Sequence, residues 1–134
     1  PSEYEVMRTN AIAKKNRAIQ TKLEKVISYT KQTMVTYMSE EDLNRLCTYV
    51  AEYSTGDTLQ KISPVKVDSQ LKSIDIMHFG WNIGKAFGRK RIHTATFIKN
   101  VFAHTLRDLE ISTIERKMSH TESVCCIKLD VKIV

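Results

Sequence analysis

The chain has 134 residues and a mass of 15.4 kDa, a size that corresponds to about one domain with a core of its own. Hydrophobic residues at 42% and charged residues at 27% argue against disordered, collagen-like and membrane classes, and only four Gly and two Pro leave helices to dominate. Twenty-one Lys and Arg against fifteen Asp and Glu give a net charge of +6, which leans towards a polyanionic partner.

Residues 1–38 read as one long amphipathic helix. Ile12, Ile19, Leu23 and Val26 recur at spacings of three, four and seven, with Asn16 and Thr30 filling two positions of the same seam. Lys14, Lys15, Arg17, Lys22, Lys25 and Lys31 occupy the polar face, and seven basic against three acidic residues give the segment a net +4. The pattern fits a solvated face beside a core stripe. It also fits a short seam through which two copies pair.

Ser39 opens the next helix as an N-cap, with Glu40, Glu41 and Asp42 at the positive end of the helix dipole and Asp42 at the capping-box position. Leu43, Leu46, Cys47, Val50 and Tyr53 form its apolar face, and Gly56 marks its stop. Residues 57–73 are the least regular stretch. Pro64 excludes a helix there, Val65-Lys66-Val67 alternates like a short strand, and the loop at 54–73 reads as a hinge between an N-terminal helical part (1–56) and a C-terminal part (74–134).

Ile76, Phe79, Ile83 and Phe87 mark a helix over 75–87 that Asp75 or Ser73 caps and Gly88 ends. Gly80 and Gly84 lie one turn apart on it, a spacing that suits close approach of another backbone, and Trp81 reads as a core anchor. Arg89-Lys90-Arg91 is the densest basic cluster. A helix from about Thr94 to Leu106 follows, then a connection of about five residues. Ser112-Thr113-Ile114-Glu115 has capping-box spacing and starts a helix over about 112–119. Residues 76–118 hold eight basic and three acidic side chains, a net +5. In the tail Ile127, Leu129, Val131 and Ile133 alternate with Lys128, Asp130 and Lys132, the pattern of a half-buried strand. Such a strand needs a partner, from 124–126, from 65–67 or from a second copy.

Three helices closed by a strand resemble a helix-turn-helix unit, and the final strand is similar to the wing of winged-helix domains. The resemblance covers residues 74–134 and is one of architecture. It implies a mainly α, single-domain protein (1–134) with a C-terminal helix-turn-helix-like trihelical unit and a small β element. It also implies that the helix at 112–119 enters the DNA major groove. Arg116 would then reach guanine edges or phosphates, Lys117 phosphates, and Ser112 and Thr113 a phosphate at the helix N-terminus. Arg89, Lys90 and Arg91 would grip the backbone or enter a minor groove. The expected function is non-catalytic binding of double-stranded DNA, as in a transcriptional regulator or a mobile-element accessory factor. The alternative is a helical interaction or assembly module, a homodimer through the first helix or the last strand.

Enzyme chemistry has little support. His78, His93, His104 and His120 are scattered, and no HExxH, CxxC or Gly-rich phosphate loop occurs, so no catalytic residue, metal ligand or cofactor is assigned. No apolar run approaches the ~20 residues that span a bilayer, and Pro1 to Glu5 lack the character of a signal peptide. The odd count of cysteines (Cys47, Cys125 and Cys126), two of them vicinal, suits reduced thiols in the cytoplasm.

Overall fold

In a computed structural model, which describes residues 1–56 and 61–134, the chain folds into five helices: α1 (Glu3–Met34), α2 (Glu40–Ser54), α3 (Ser73–Phe87), α4 (Arg91–Val101) and α5 (Ile111–Lys117). The mainly α class expected from the sequence is what the chain adopts. α2 folds back on the C-terminal part of α1, α3 packs on α1, and α4 lies against α2, α3 and α5.

Local chemistry accounts for several boundaries. Ser2 and Ser39 cap α1 and α2, their hydroxyls accepting from the backbone N–H of Glu5 and Asp42 at 3.1 Å each. Gly56 (φ 84°) and Gly88 (φ 69°) take the left-handed conformation that ends α2 and α3. Asp75 contributes from inside α3, its Oδ2 accepting the Lys72 N–H at 2.9 Å, so that Lys72 rather than Ser73 is the N-cap. α4 begins three residues before Thr94, at Arg91, and ends at Val101 rather than Leu106. The connection to α5 therefore runs over residues 102–110, longer than expected, and Lys99 holds it. The Lys99 ammonium donates to the carbonyls of Leu106, Arg107 and Leu109 at 2.8, 3.1 and 2.6 Å. The Ser112–Glu115 capping box does not form; Glu110 is the N-cap of α5.

α3 is the central element. Phe79, Ile76 and Ile83 are fully buried, and Phe79 stacks on Tyr29 of α1 at 6.0 Å and meets Phe102 edge-on at 5.9 Å. On its other side α4 crosses at Gly80 and Gly84. A Cβ on Gly80 would stand 2.9 Å from two carbons of Ile98, and one on Gly84 would stand 2.6 Å from the Thr94 hydroxyl, so the two glycines set the α3–α4 distance. The Tyr53 ring of α2 completes this layer. It stacks on Phe97 at 4.4 Å, and its hydroxyl bonds Thr94 Oγ1 at 2.6 Å. Burial pushes the Tyr53 phenol up, partly offset by the Thr94 hydrogen bond and by Arg89.

The two parts on either side of the expected hinge share this core. Residues 57–60 lie outside the described residues, but 61–72 is fastened. Arg45 donates to the carbonyls of Ser63 and Pro64, Val65 N–H to Val101 O at 2.9 Å, and Asp68 N–H to Tyr37 O at 2.7 Å. The Val65–Val67 stretch is extended but joins no sheet.

The expected C-terminal β element is the main correction: no strand occurs among the described residues. The tail keeps part of the alternation, with Ile127 buried and Leu129 and Ile133 half-buried, but Val131, just past the left-handed Asp130, is exposed. Its backbone is satisfied by α3 side chains instead of by a neighbouring strand. Asp75 Oδ1 accepts the N–H groups of Cys126 and Ile127 at 2.7 and 3.0 Å. The His78 ring nitrogens lie 2.8 Å from Ile127 O and 2.7 Å from His120 O, and Asn82 Nδ2 donates to Lys128 O at 2.8 Å. Residues 75, 78 and 82 recur at three and four along one face of α3, so a single helix edge straps the tail in place.

Candidate nucleic-acid interface

The turn from α3 into α4 carries Arg89, Lys90 and Arg91, and the three side chains take different directions. Gly88 reverses the chain, and the Arg89 N–H returns to Gly84 O at 2.9 Å. The Arg89 guanidinium lies over the Tyr53 ring at 5.2 Å and against Gly56, where it fills the corner behind α2. Arg91 reaches across to α5. Its guanidinium donates to the carbonyls of Glu115 and Arg116 and to Ser119 Oγ, and it stacks over Trp81 at 4.9 Å. A cation at the C-terminal end of a short helix satisfies carbonyls that lack helical partners. Lys90, between the two arginines, is exposed; its carbonyl caps the first turn of α4, and its ammonium bonds nothing among the described residues.

On α5, Ile114 is fully buried and Met118, just beyond it, is too. Arg116 and Lys117 in the last turn therefore face outward. Ser112 is exposed and Thr113 half-buried in the first turn. Arg91 thus links the basic turn to the end of α5, where Arg116 and Lys117 are exposed, as Lys90 is on the turn. The structure does not bring all the predicted site residues to solvent: Arg89 is half-buried over the Tyr53 ring, and Arg91 spends its donors on α5 and Ser119. Two other cations of this half are occupied as well, Lys99 by the 106–109 carbonyls and Lys85 by Asp130 at 3.4 Å.

Trp81 is half-buried rather than enclosed. Its Nε1–H donates to Asp130 Oδ1 at 2.7 Å, and Lys85 and Arg91 flank its ring. That hydrogen bond is the first cause that holds the Asp130 carboxyl below the ordinary aspartate range, with Lys85 adding to it. Asp130 itself adopts a left-handed φ of 59°, which aspartate tolerates better than most residues.

A second set of cations lies on α1, the polar face that the spacing of its lysines and arginines marks out. None of residues 1–25 is buried, although from Lys14 onward this part of α1 runs beside Ser54, Thr55, Phe87 and Val134. Arg8, Lys14, Lys15, Arg17, Lys22 and Lys25 lie on it, all exposed and without an ion pair among the described residues. Ile12 at 41% and Ile19 at 60% exposure show that the expected seam reaches the core only from Leu23 onward.

Among the described residues no group of three or more His, Cys, Asp and Glu is placed to hold a metal ion, and no helix is long and apolar enough to cross a membrane. Cys47 is half-buried on α2, and burial pushes its thiol up. Comparison of the chain with protein-family models, curated proteins and solved structures finds no match.

Proposed function

We propose that the protein binds double-stranded DNA without catalysing a reaction, and that Lys90, Arg116 and Lys117 contact phosphates. The observation that supports this reading is the Arg91 bridge. It ties the 89–91 turn to the end of α5, so that three exposed cations, Lys90, Arg116 and Lys117, stand on the two segments it joins, with half-buried Trp81 against Arg91. Repulsion among such cations is unfavourable in the free protein and is relieved when a polyanion replaces their counterions. Arg89 and Arg91 act here as positioning residues. Ser112 and Thr113, one α5 length away, are within the same helix and mark the far limit of the contact. A protein of this kind acts by occupying its site, as a regulator or accessory factor does.

The test is fluorescence anisotropy with a labelled 30-base-pair duplex over a salt series. Each phosphate contact contributes about 0.9 to the slope of log K against log salt. Lys90→Gln/Arg116→Gln/Lys117→Gln should therefore flatten the slope by about 2.7. A wild-type protein that binds no duplex at 50 mM salt refutes the reading.

One observation favours a second reading, an assembly module: Ile12 and Ile19 are exposed on α1. That reading predicts a dimer in sedimentation that Ile12→Lys/Ile19→Lys converts to monomer.

A further inference from the structure

Lys14, Arg17, Lys22 and Lys25 lie at spacings of three, five and three residues, and together they line one groove on α1 with Ala18 and Thr21 at its floor. Residues so spaced share a helix face. The face is about 16 Å long at 1.5 Å per residue, a length over which one strand of a duplex presents about five phosphates. The small residues between the cations let a phosphate backbone approach the helix closely. Glu24 is the only acid between Arg8 and Lys31; Gln20 donates to it, and it does not line the groove.

The groove also leads towards Arg91. Val134 closes one end of it and belongs equally to a second groove lined by Asn82, Lys85, Asp130 and Lys132. Lys85 flanks Trp81, whose other neighbour is Arg91. Cations therefore follow one another from α1 across the tail to α5, on a path with Asp130 as its acid, already bonded to Trp81 and Lys85.

We infer that the Lys14–Lys25 face of α1 is a second contact surface for the sugar–phosphate backbone of duplex DNA, acting together with Lys90, Arg116 and Lys117. The inference rests on the DNA-binding reading and extends it. Affinity comes mainly from α1, whose contacts are independent of base sequence. A second copy of the chain is a poor occupant, because pairing two such faces would bring like charges together.

The experiment compares three variants of the full chain with wild type on the same labelled duplex between 50 and 200 mM salt, with circular dichroism to verify helix content. Lys14→Gln/Arg17→Gln/Lys22→Gln/Lys25→Gln should reduce the salt slope by about 3.6, so that affinity falls about 150-fold less than wild type across this range. Lys14→Arg/Lys22→Arg/Lys25→Arg, which keeps the charge, should retain the wild-type slope. If the quadruple variant keeps the wild-type slope while Lys90→Gln/Arg116→Gln/Lys117→Gln lowers it, the α1 surface is overturned and the DNA-binding reading stands. If wild type binds no duplex, both fall. If poly-glutamate of equal charge competes as well as unlabelled duplex, the partner is an acidic protein surface and the duplex assignment is overturned.

Discussion

Replacing Asp75 by Ala removes the acceptor for three backbone N–H groups at once, those of Lys72, Cys126 and Ile127 at 2.9, 2.7 and 3.0 Å. The Ile127 bond is buried, and its loss leaves a donor without water, a cost of about 1.5–3 kcal/mol for a bond to a charged group. The other two are partly buried and recover some hydration, so about 0.5–1 kcal/mol each is expected. Asp75→Ala should therefore lower the unfolding free energy by about 2.5–5 kcal/mol. Asp75→Asn keeps one oxygen for Cys126 and Ile127 but turns an amide donor towards the Lys72 N–H, and should cost about 1–2 kcal/mol. Urea unfolding reads both as a lower midpoint with the slope unchanged. Limited trypsin digestion adds a local readout, since Lys128 should become cleavable in Asp75→Ala before the helices open. A loss below about 1 kcal/mol in the alanine variant would refute the claim that this carboxylate anchors the tail.

Gly80→Ala gains about 1 kcal/mol of helix propensity but drives a methyl to 2.9 Å from fully buried Ile98; overpacking costs about 1–3 kcal/mol, so the melting temperature should fall, and a rise would contradict the close-approach argument. Arg91→Gln should lower the melting temperature by removing the bonds to Glu115, Arg116 and Ser119, whereas Lys90→Gln should leave melting unchanged and weaken duplex binding; the reverse pattern would show that the two roles are misassigned. Asp130 has a folded pKa below its unfolded value, so its stabilising contribution is complete above the unfolded value and is lost as pH falls through the folded one. Emission from Trp81, the single tryptophan, should accordingly stay constant down to about pH 4 and change only below it; a midpoint at or above the ordinary aspartate range would exclude the Trp81–Asp130 bond.

Helices whose signals are local were legible from the residues. Ser39 starts α2 through its own hydroxyl, Gly56 and Gly88 end elements through the conformation of their own backbone, and the spacing of Ile76, Phe79 and Ile83 places α3. Where a distant partner decides, local signals misled. Ser112 and Glu115 have the spacing of a capping box, yet burial of Ile114 and Met118 and the Arg91 bonds start the helix at Ile111. Alternation from Ile127 to Ile133 reports a chain with one side on the core, and it says nothing about what satisfies the backbone. The partner proved to be the row Asp75, His78 and Asn82, about fifty residues away on a helix already recognised for its apolar face. The candidate site divides in the same way. A basic triplet at 89–91 is visible by inspection, but whether each side chain points out depends on Tyr53 and Trp81, which the fold alone brings near.

The outer part of α1 buries no residue in the core, yet it is not an isolated peptide. Its C-terminal end is already helical within the body, so the costly first turn is supplied and only elongation remains. Helicity then declines smoothly from Leu23 towards Glu3 as the end frays. Amide exchange should record this as a gradient, slow near the body and fastest at the first turn, while the five buried residues of α2 exchange together.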